Sequence, residues 1–224
     1  RFMACEFAKQ IVPFVRGCGF EPILSDSFVT TPSCSFYAKE VGCLGALVIT
    51  ASHNPYNWLG LKIKSFNGCS VDESFTSEVE KRLMLGNSIE KIDGVNQLVD
   101  IKKFHLDRIK SLFDIDYISK RLKKMKLRIF VDSMHGSAAN CMAEIFASND
   151  LEVISEIRKD ADPFFGGKPP EPLLNYADDL KQTLMKNSTN EVKTLGIIFD
   201  GDGDRIAAID EKGRYSSTQD LLPY

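Results

Sequence analysis

Leu195-Gly196-Ile197-Ile198-Phe199, followed at once by Asp200-Gly201-Asp202-Gly203-Asp204-Arg205, is the stretch from which the fold is read. An unbroken apolar run of this length suits a strand buried on both faces of a parallel sheet. Three carboxylates alternating with glycines then leave its carboxyl end, the edge at which open α/β sheets present their ligand loops. So many hard oxygens in one short loop repel each other unless a cation shares them. The glycines let the backbone turn tightly enough for the carboxylates to converge. A divalent cation is the reading these residues favour. Asp200, Asp202, Asp204 and Glu211 have EF-hand spacing, but Arg205 stands where that loop needs glycine, and a strand precedes it where a helix should be. A phosphatase with Asp200 as nucleophile stays open as an alternative. It would want Thr or Val at position 204 and a long downstream chain.

A similar unit lies earlier. Leu44-Gly45-Ala46-Leu47-Val48-Ile49-Thr50 reads as a strand of the kind covered on both faces, and Ala51-Ser52-His53-Asn54-Pro55 leaves its end. Pro55 biases Asn54 toward an extended shape and helps fix the loop. Locally this is either a polar turn or a loop presenting Ser52 as nucleophile or phosphate carrier beside His53. Leu61-Lys62-Ile63-Lys64 alternates, which places Lys62 and Lys64 on one face of a strand. Lys62 could hold a phosphoryl oxygen or move a proton; Lys64 is expected in solvent.

Between and around these loops, helical and strand signals alternate. Helices are expected over residues 4–17, from Thr31-Pro32, and over 73–85 with Phe75, Val79 and Leu83 inward. A strand is expected over 20–24. Residues 86–101, rich in Gly and Asn, read as a turn passage and domain boundary. Helices at 102–113 and 115–124 lead to a strand at 127–131, a turn at 132–136, a helix at 137–148 and a strand at 151–154. Residues 160–172, with Gly166, Gly167, Pro169, Pro170 and Pro172, form a long loop of the kind that often carries function. A helix over 175–187 precedes the Leu195–Phe199 strand. The fold class expected is α/β: tandem three-layer α/β/α domains with mixed, mostly parallel sheets.

The bulk composition sets limits. With 43% hydrophobic and 26% charged residues, the chain can bury a core. A net charge of −3 gives no surface built to neutralise nucleic acid, and the basic run Lys120–Lys126 reads as a solvated helix face. Six cysteines without a C-x-x-C pair suit reduced thiols and a cytoplasmic location. No run of about 18 apolar residues suggests a membrane span. The chain opens on Arg1, not Met, with no signal-peptide pattern, and is expected to be cut from a longer one.

Taken together, Thr50-Ala51-Ser52-His53-Asn54-Pro55, Gly60-Leu61-Lys62 and Asp200-Gly201-Asp202-Gly203-Asp204-Arg205 resemble the α-D-phosphohexomutase superfamily in order and approximate spacing. Arg1-Phe2-Met3 looks like the end of that family's first-domain arginine motif, and Leu127–Gly136 like the opening of its second domain. The resemblance implies domain 1 over residues 1–88, lacking its first strand; domain 2 over 89–212; and a truncated start of domain 3 over 213–224. It implies a phosphotransferase interconverting hexose 1- and 6-phosphates through a phosphoserine and a 1,6-bisphosphate, which also serves as activator. Ser52 would carry the phosphoryl group. Asp200, Asp202 and Asp204 would bind Mg²⁺ together with an oxygen on Ser52. His53, Lys62 and Arg205 would assist catalysis. Thr50 leans toward glucose or mannose phosphate over glucosamine phosphate. The phosphosugar is the partner implied, with no nucleic acid or membrane, and oligomeric state is not legible. Without the sugar-selecting and phosphate-gripping domains, this chain alone is expected to be inactive. A catalytically silent metal- or phosphate-binding fragment is the competing reading.

Overall fold

The computed structural model describes residues 1–86, 88–146 and 153–221. The first unit runs α1 (Ala4–Gly17), β1 (Ile23–Ser25), α2 (Thr31–Glu40), β2 (Gly45–Ile49), β3 (Leu61–Ser65) and α3 (Glu73–Met84). After it come β4 (Gln97–Val99), α4 (Ile101–Leu112) and α5 (Ile115–Lys124). The second unit continues with β5 (Leu127–Asp132), α6 (Cys141–Phe146), β6 (Ile154–Ile157), α7 (Asp178–Asn187), β7 (Lys193–Phe199), β8 (Ile206–Asp210), β9 (Tyr215–Ser216) and α8 (Thr218–Leu221).

Helix starts follow from their caps. Asp72, Asp100 and Asp114 each accept a hydrogen bond from the backbone N–H three residues on, satisfying a donor the helix itself leaves unpaired. Thr30 does the same for Ser33, with Pro32 inside the first turn of α2.

The second unit holds a five-stranded sheet in the order β6-β5-β7-β8-β9. Its β5·β6 and β5·β7 pairs are parallel; β7·β8 and β8·β9 are antiparallel. Alternation along β5 sends Ile129 and Val131 to one face, against Leu106, Ile145 and Phe146. It sends Phe130 to the other, against Leu180, Leu184 and Ile209. Each such fully buried leucine contributes about 1.5–3 kcal/mol. Helices therefore cover both faces, as expected for an α/β/α layer.

The first unit differs from expectation in several places. β2 pairs antiparallel with β3 and not within a parallel sheet, and Leu47 is 46% exposed, so the strand is not covered on both faces. Along α3, Phe75 is 50% and Leu83 74% exposed, and no residue of that helix is buried. The amphipathic pattern is present, but of the three residues expected inward Val79 alone is partly covered. The strand expected at 20–24 lies at β1. The turn passage 86–101 hides β4, which pairs parallel with β1. It is further tied back by Arg16, which donates to the carbonyls of Gly94 and Val95.

In the second unit, α6 is shorter than 137–148, because residues 133–140 form turns that reach the acidic loop, Ser137 donating its N–H to the Gly201 carbonyl at 3.0 Å. Ala147 and Ser148 lie outside the described residues. The strand placed at 151–154 is β6, three residues later, and Leu151 and Glu152 are likewise outside them. A short 3₁₀ turn, Leu174–Tyr176, replaces the first turn of the helix expected over 175–187. β8, β9 and α8 had no clear signal in the sequence. Residues 160–172 form the expected loop, with one 3₁₀ turn at Phe165–Gly167.

The two units touch along α2 and α4. Tyr37 meets Phe104 edge-on at 5.0 Å, and Ser33 Oγ lies 2.8 Å from His105 Nδ1. This contact brings the loop after β2 against the loop after β7.

Candidate functional site

The serine loop is held by its own backbone. Thr50 donates its N–H to the Gly60 carbonyl at 3.0 Å, and its hydroxyl accepts the Ser52 N–H at 2.9 Å. Ser52 sits in the left-handed region at φ 48°, a strained position for a residue with a side chain. The Arg1 guanidinium fills the inside of the turn. It donates to the carbonyls of Ser52, Asn54 and Pro55 at 2.7 Å each and lies 4.8 Å over the Phe165 ring.

The acidic loop joins β7 to β8. Asp200 Oδ1 accepts the N–H groups of Asp204 and Arg205 at 3.0 Å each, which curls the loop around that carboxylate. Asp200 and Asp202 are buried, at 0% and 4% exposure, and Asp204 faces solvent. One oxygen from each of the three carboxylates lies within 4.8 Å of the others.

The two loops meet across the units. Ser52 Oγ donates to Asp200 Oδ2 at 2.9 Å. Lys62 Nζ donates to Asp202 Oδ2 and to Asp204 Oδ2, both at 2.7 Å. Glycine makes the approach possible. A Cβ on Gly201 would stand 2.6 Å from the Ser52 carbonyl and 2.9 Å from Pro170 Cγ. Gly203, at φ +70°, would place one 2.7 Å from Thr30.

Electrostatics follow from this crowding. Burial, and then the neighbouring Asp202 charge, push Asp200 up to about 7. Burial also pushes on Asp202, but hydrogen bonds from Lys62 and Thr31 outweigh it and hold that carboxyl below its usual value. Burial lowers Lys62, yet its bonds to Asp202 and Asp204 more than offset this and raise it, so it stays an ammonium.

The donor set suits a hard divalent cation such as Mg²⁺, which takes carboxylate oxygens. One observation speaks for it directly. Asp202 Oδ1 is buried and has no hydrogen-bond partner. A bare carboxylate oxygen in that position is costly unless something positive meets it.

The remaining sequence candidates sit at the rim. His53 Nε2 and Arg205 Nη1 each lie 3.9 Å from Glu171 Oε1, and His53 Nδ1 is buried without a partner. Lys64 turns away from the site and donates to Ser70 Oγ at 2.9 Å. Three residues at the site were not among the sequence candidates. Glu171 lies in the Gly/Pro-rich loop, whose composition was its only signal. Arg1 was noted as part of a motif but not as the clamp of the serine loop. Thr31 was noted only as a helix start; its hydroxyl and N–H both bond Asp202.

Comparison with known proteins bears on this arrangement. Residues 1–88 match the profile of "Phosphoglucomutase/phosphomannomutase, alpha/beta/alpha domain I", and residues 103–213 that of domain II of the same family. A protein of Methanothermobacter thermautotrophicus named as a probable phosphoglucosamine mutase is 30% identical over 222 residues, covering 96% of this chain and 45% of its own length. Phosphoglucomutase 1 of Drosophila melanogaster is 27% identical over 252 residues, covering 99% and 44%. Among solved structures, one from Thermus thermophilus, assigned as a phosphomannomutase, superposes with TM-score 0.82 at 25% identity, over 96% of this chain and 47% of that one. The chain thus spans about half the length of the curated relatives it matches.

Proposed function

The chain belongs to the phosphoglucomutase/phosphomannomutase family, and from that premise we propose that it supplies the phosphoserine and metal half of a hexose-phosphate mutase. The observation that carries this reading is the Ser52 hydroxyl lying 2.9 Å from Asp200 Oδ2, inside a cluster of three carboxylates. The residue that would carry phosphate touches the residues that would hold the cation.

In this reading the first unit, residues 1–88, presents Ser52, His53 and Lys62. The second, from residue 89 on, presents Asp200, Asp202, Asp204 and Arg205, and its sheet extends beyond 212 through β9 (Tyr215–Ser216). Ser52 Oγ carries the phosphoryl group. A sugar hydroxyl attacks the phosphorus, the new O–P bond forms, and the bond to Ser52 Oγ breaks in line with it. The product of that transfer is a hexose 1,6-bisphosphate, and its other phosphate returns to Ser52. Mg²⁺ bound by Asp200, Asp202, Asp204 and the Ser52 phosphate would neutralise charge on the transferring group. Lys62, held as an ammonium, and Arg205 at the rim add positive charge to it. His53, whose ring is part-exposed at the rim, would take the hydroxyl proton, while Lys62, already an ammonium, would hold a phosphoryl oxygen and not act as the base.

Glucose and mannose phosphates are the substrates proposed, on the strength of Thr50. Glucosamine phosphate belongs in the same panel, since relatives carry that name. The reading extends to a cytoplasmic enzyme, supported by six free thiols. Among the described residues no helix is long and apolar enough to cross a membrane. A phosphatase with Asp200 as nucleophile fits the geometry less well. Asp200 is fully buried, and both its oxygens already accept hydrogen bonds.

The test is intact mass with phosphosite mapping after incubation with glucose 1,6-bisphosphate and Mg²⁺. Phosphate on Ser52, absent from Ser52→Ala, is the expected result. Phosphate on Asp200 would replace this reading with the phosphatase.

A further inference from the structure

One residue of the first unit grips the acidic loop of the second at two points. Thr31 is the first residue of α2, a position whose N–H has no partner within the helix. Here that N–H donates to the Asp202 carbonyl at 2.8 Å. The Thr31 hydroxyl donates to Asp202 Oδ2 at 2.6 Å. Backbone and carboxylate of Asp202 are therefore fixed together. Thr31 is itself immobilised. It is 2% exposed, and its neighbour Thr30 bonds Ser33 Oγ at 2.8 Å, which in turn meets His105 of α4 at 2.8 Å.

The pattern of occupied and bare oxygens on Asp202 is the informative part. Oδ2 has two donors, the Thr31 hydroxyl and the Lys62 ammonium. Oδ1 is buried and has none. We propose that Thr31 is a positioning residue for the cation: by engaging Oδ2 it sets the rotation of the carboxylate and leaves Oδ1 as the oxygen that ligates. The proposal rests on the reading of the acidic loop as a cation site. Thr31 touches neither cation nor sugar, and acts through Asp202. Lys62 alone would not fix that rotation, because a flexible ammonium bonding Asp202 and Asp204 together can follow either carboxylate. A hydroxyl on the buried first turn of a helix cannot.

The experiment is a Mn²⁺ titration of the full 224-residue chain followed by electron paramagnetic resonance, at low temperature, with wild type, Thr31→Val, Thr31→Ala and Thr31→Ser. Melting of each in EDTA reports the fold separately. Loss of a hydrogen-bond partner behind a metal ligand typically weakens binding ~10–100-fold. Thr31→Val and Thr31→Ala are expected to bind Mn²⁺ about 10-fold more weakly, and Thr31→Ser, which keeps the donor, to return to the wild-type value. Should Thr31→Val melt too low for the assay, Thr31→Ala decides. If wild type binds no Mn²⁺, the cation reading itself fails. If wild type binds and the donor-less variant binds equally well, or if Thr31→Ser is weakened as much as Thr31→Ala, the role of Thr31 is overturned while the cation reading stands.

Discussion

Ser52 and Asp200 are 148 positions apart in sequence and 2.9 Å apart in space, with the serine hydroxyl donating to the carboxylate. If Ser52 carries phosphate and Asp200 ligates the cation, as proposed, their contact makes two substitutions separable. Ser52→Ala should abolish phosphorylation and leave cation binding measurable. Asp200→Asn should weaken Mn²⁺ binding by at least the ~10–100-fold that loss of an outer partner costs, while Ser52 keeps its hydroxyl. Isothermal titration beside phosphosite mapping checks both. Equal effects of the two variants on metal affinity would count against the assignment.

Gly201→Ala tests the closeness of the two loops. Its Cβ would stand 2.6 Å from the Ser52 carbonyl, so the serine loop and Pro170 must give way. Overpacking of this kind costs about 1–3 kcal/mol. We expect that loss in urea denaturation, together with slower loading of Ser52 from the bisphosphate. Wild-type stability and loading would show that the loops can separate freely.

Lys62→Met removes the ammonium shared by Asp202 and Asp204. Two acidic groups, one of them buried, then lose their positive partner, and we expect a destabilisation of about 1–3 kcal/mol in EDTA. Saturating Mg²⁺ should recover part of it. Thermal melting with and without the cation reads the difference, and an equal loss in both conditions would contradict the expectation.

The cysteines give a pH prediction with a definite sign. Burial pushes the Cys34 and Cys141 thiols up to about 11. Both stay protonated at about pH 8, where the reactive thiolate is scarce. Iodoacetamide should therefore label the exposed Cys5, Cys18 and Cys69 first. A thiol with a raised native pKa contributes stability that is fully present below its unfolded value. That contribution is lost as pH climbs from about 9 toward 11. Peptide mapping of label against pH checks the order. Early modification of Cys34 would refute it.

The parts of this fold written locally were legible. Helical spacing announced the helices at 73–85, 102–113 and 115–124, and the runs at Leu44–Thr50 and Leu195–Phe199 announced strands, because periodicity and apolar runs act within a few residues. Gln97–Val99 announces nothing. It is a three-residue strand among turn residues, and only the distant β1 makes it a strand. Phe75 and Leu83 mislead in the opposite direction, since helical spacing tells which face is apolar but not whether anything covers it. At the site, the dense carboxylates were readable by composition, and the serine loop only through its resemblance to a known family. Thr31 and Glu171 were not, because their importance comes from contacts with residues far off in the chain.

The grip of Thr31 on Asp202 and the close fit of Gly201 beneath Ser52 cross from one unit to the other. Their consequence is a constraint on inheritance. Neither unit can drift alone: a change in α2 is felt in the acidic loop, and a side chain gained at position 201 is felt at the serine. A chimaera assembled from one unit of this chain and one of a relative would work only if both pairs travelled together. The seam is thus the place where the history of the two halves has to be shared.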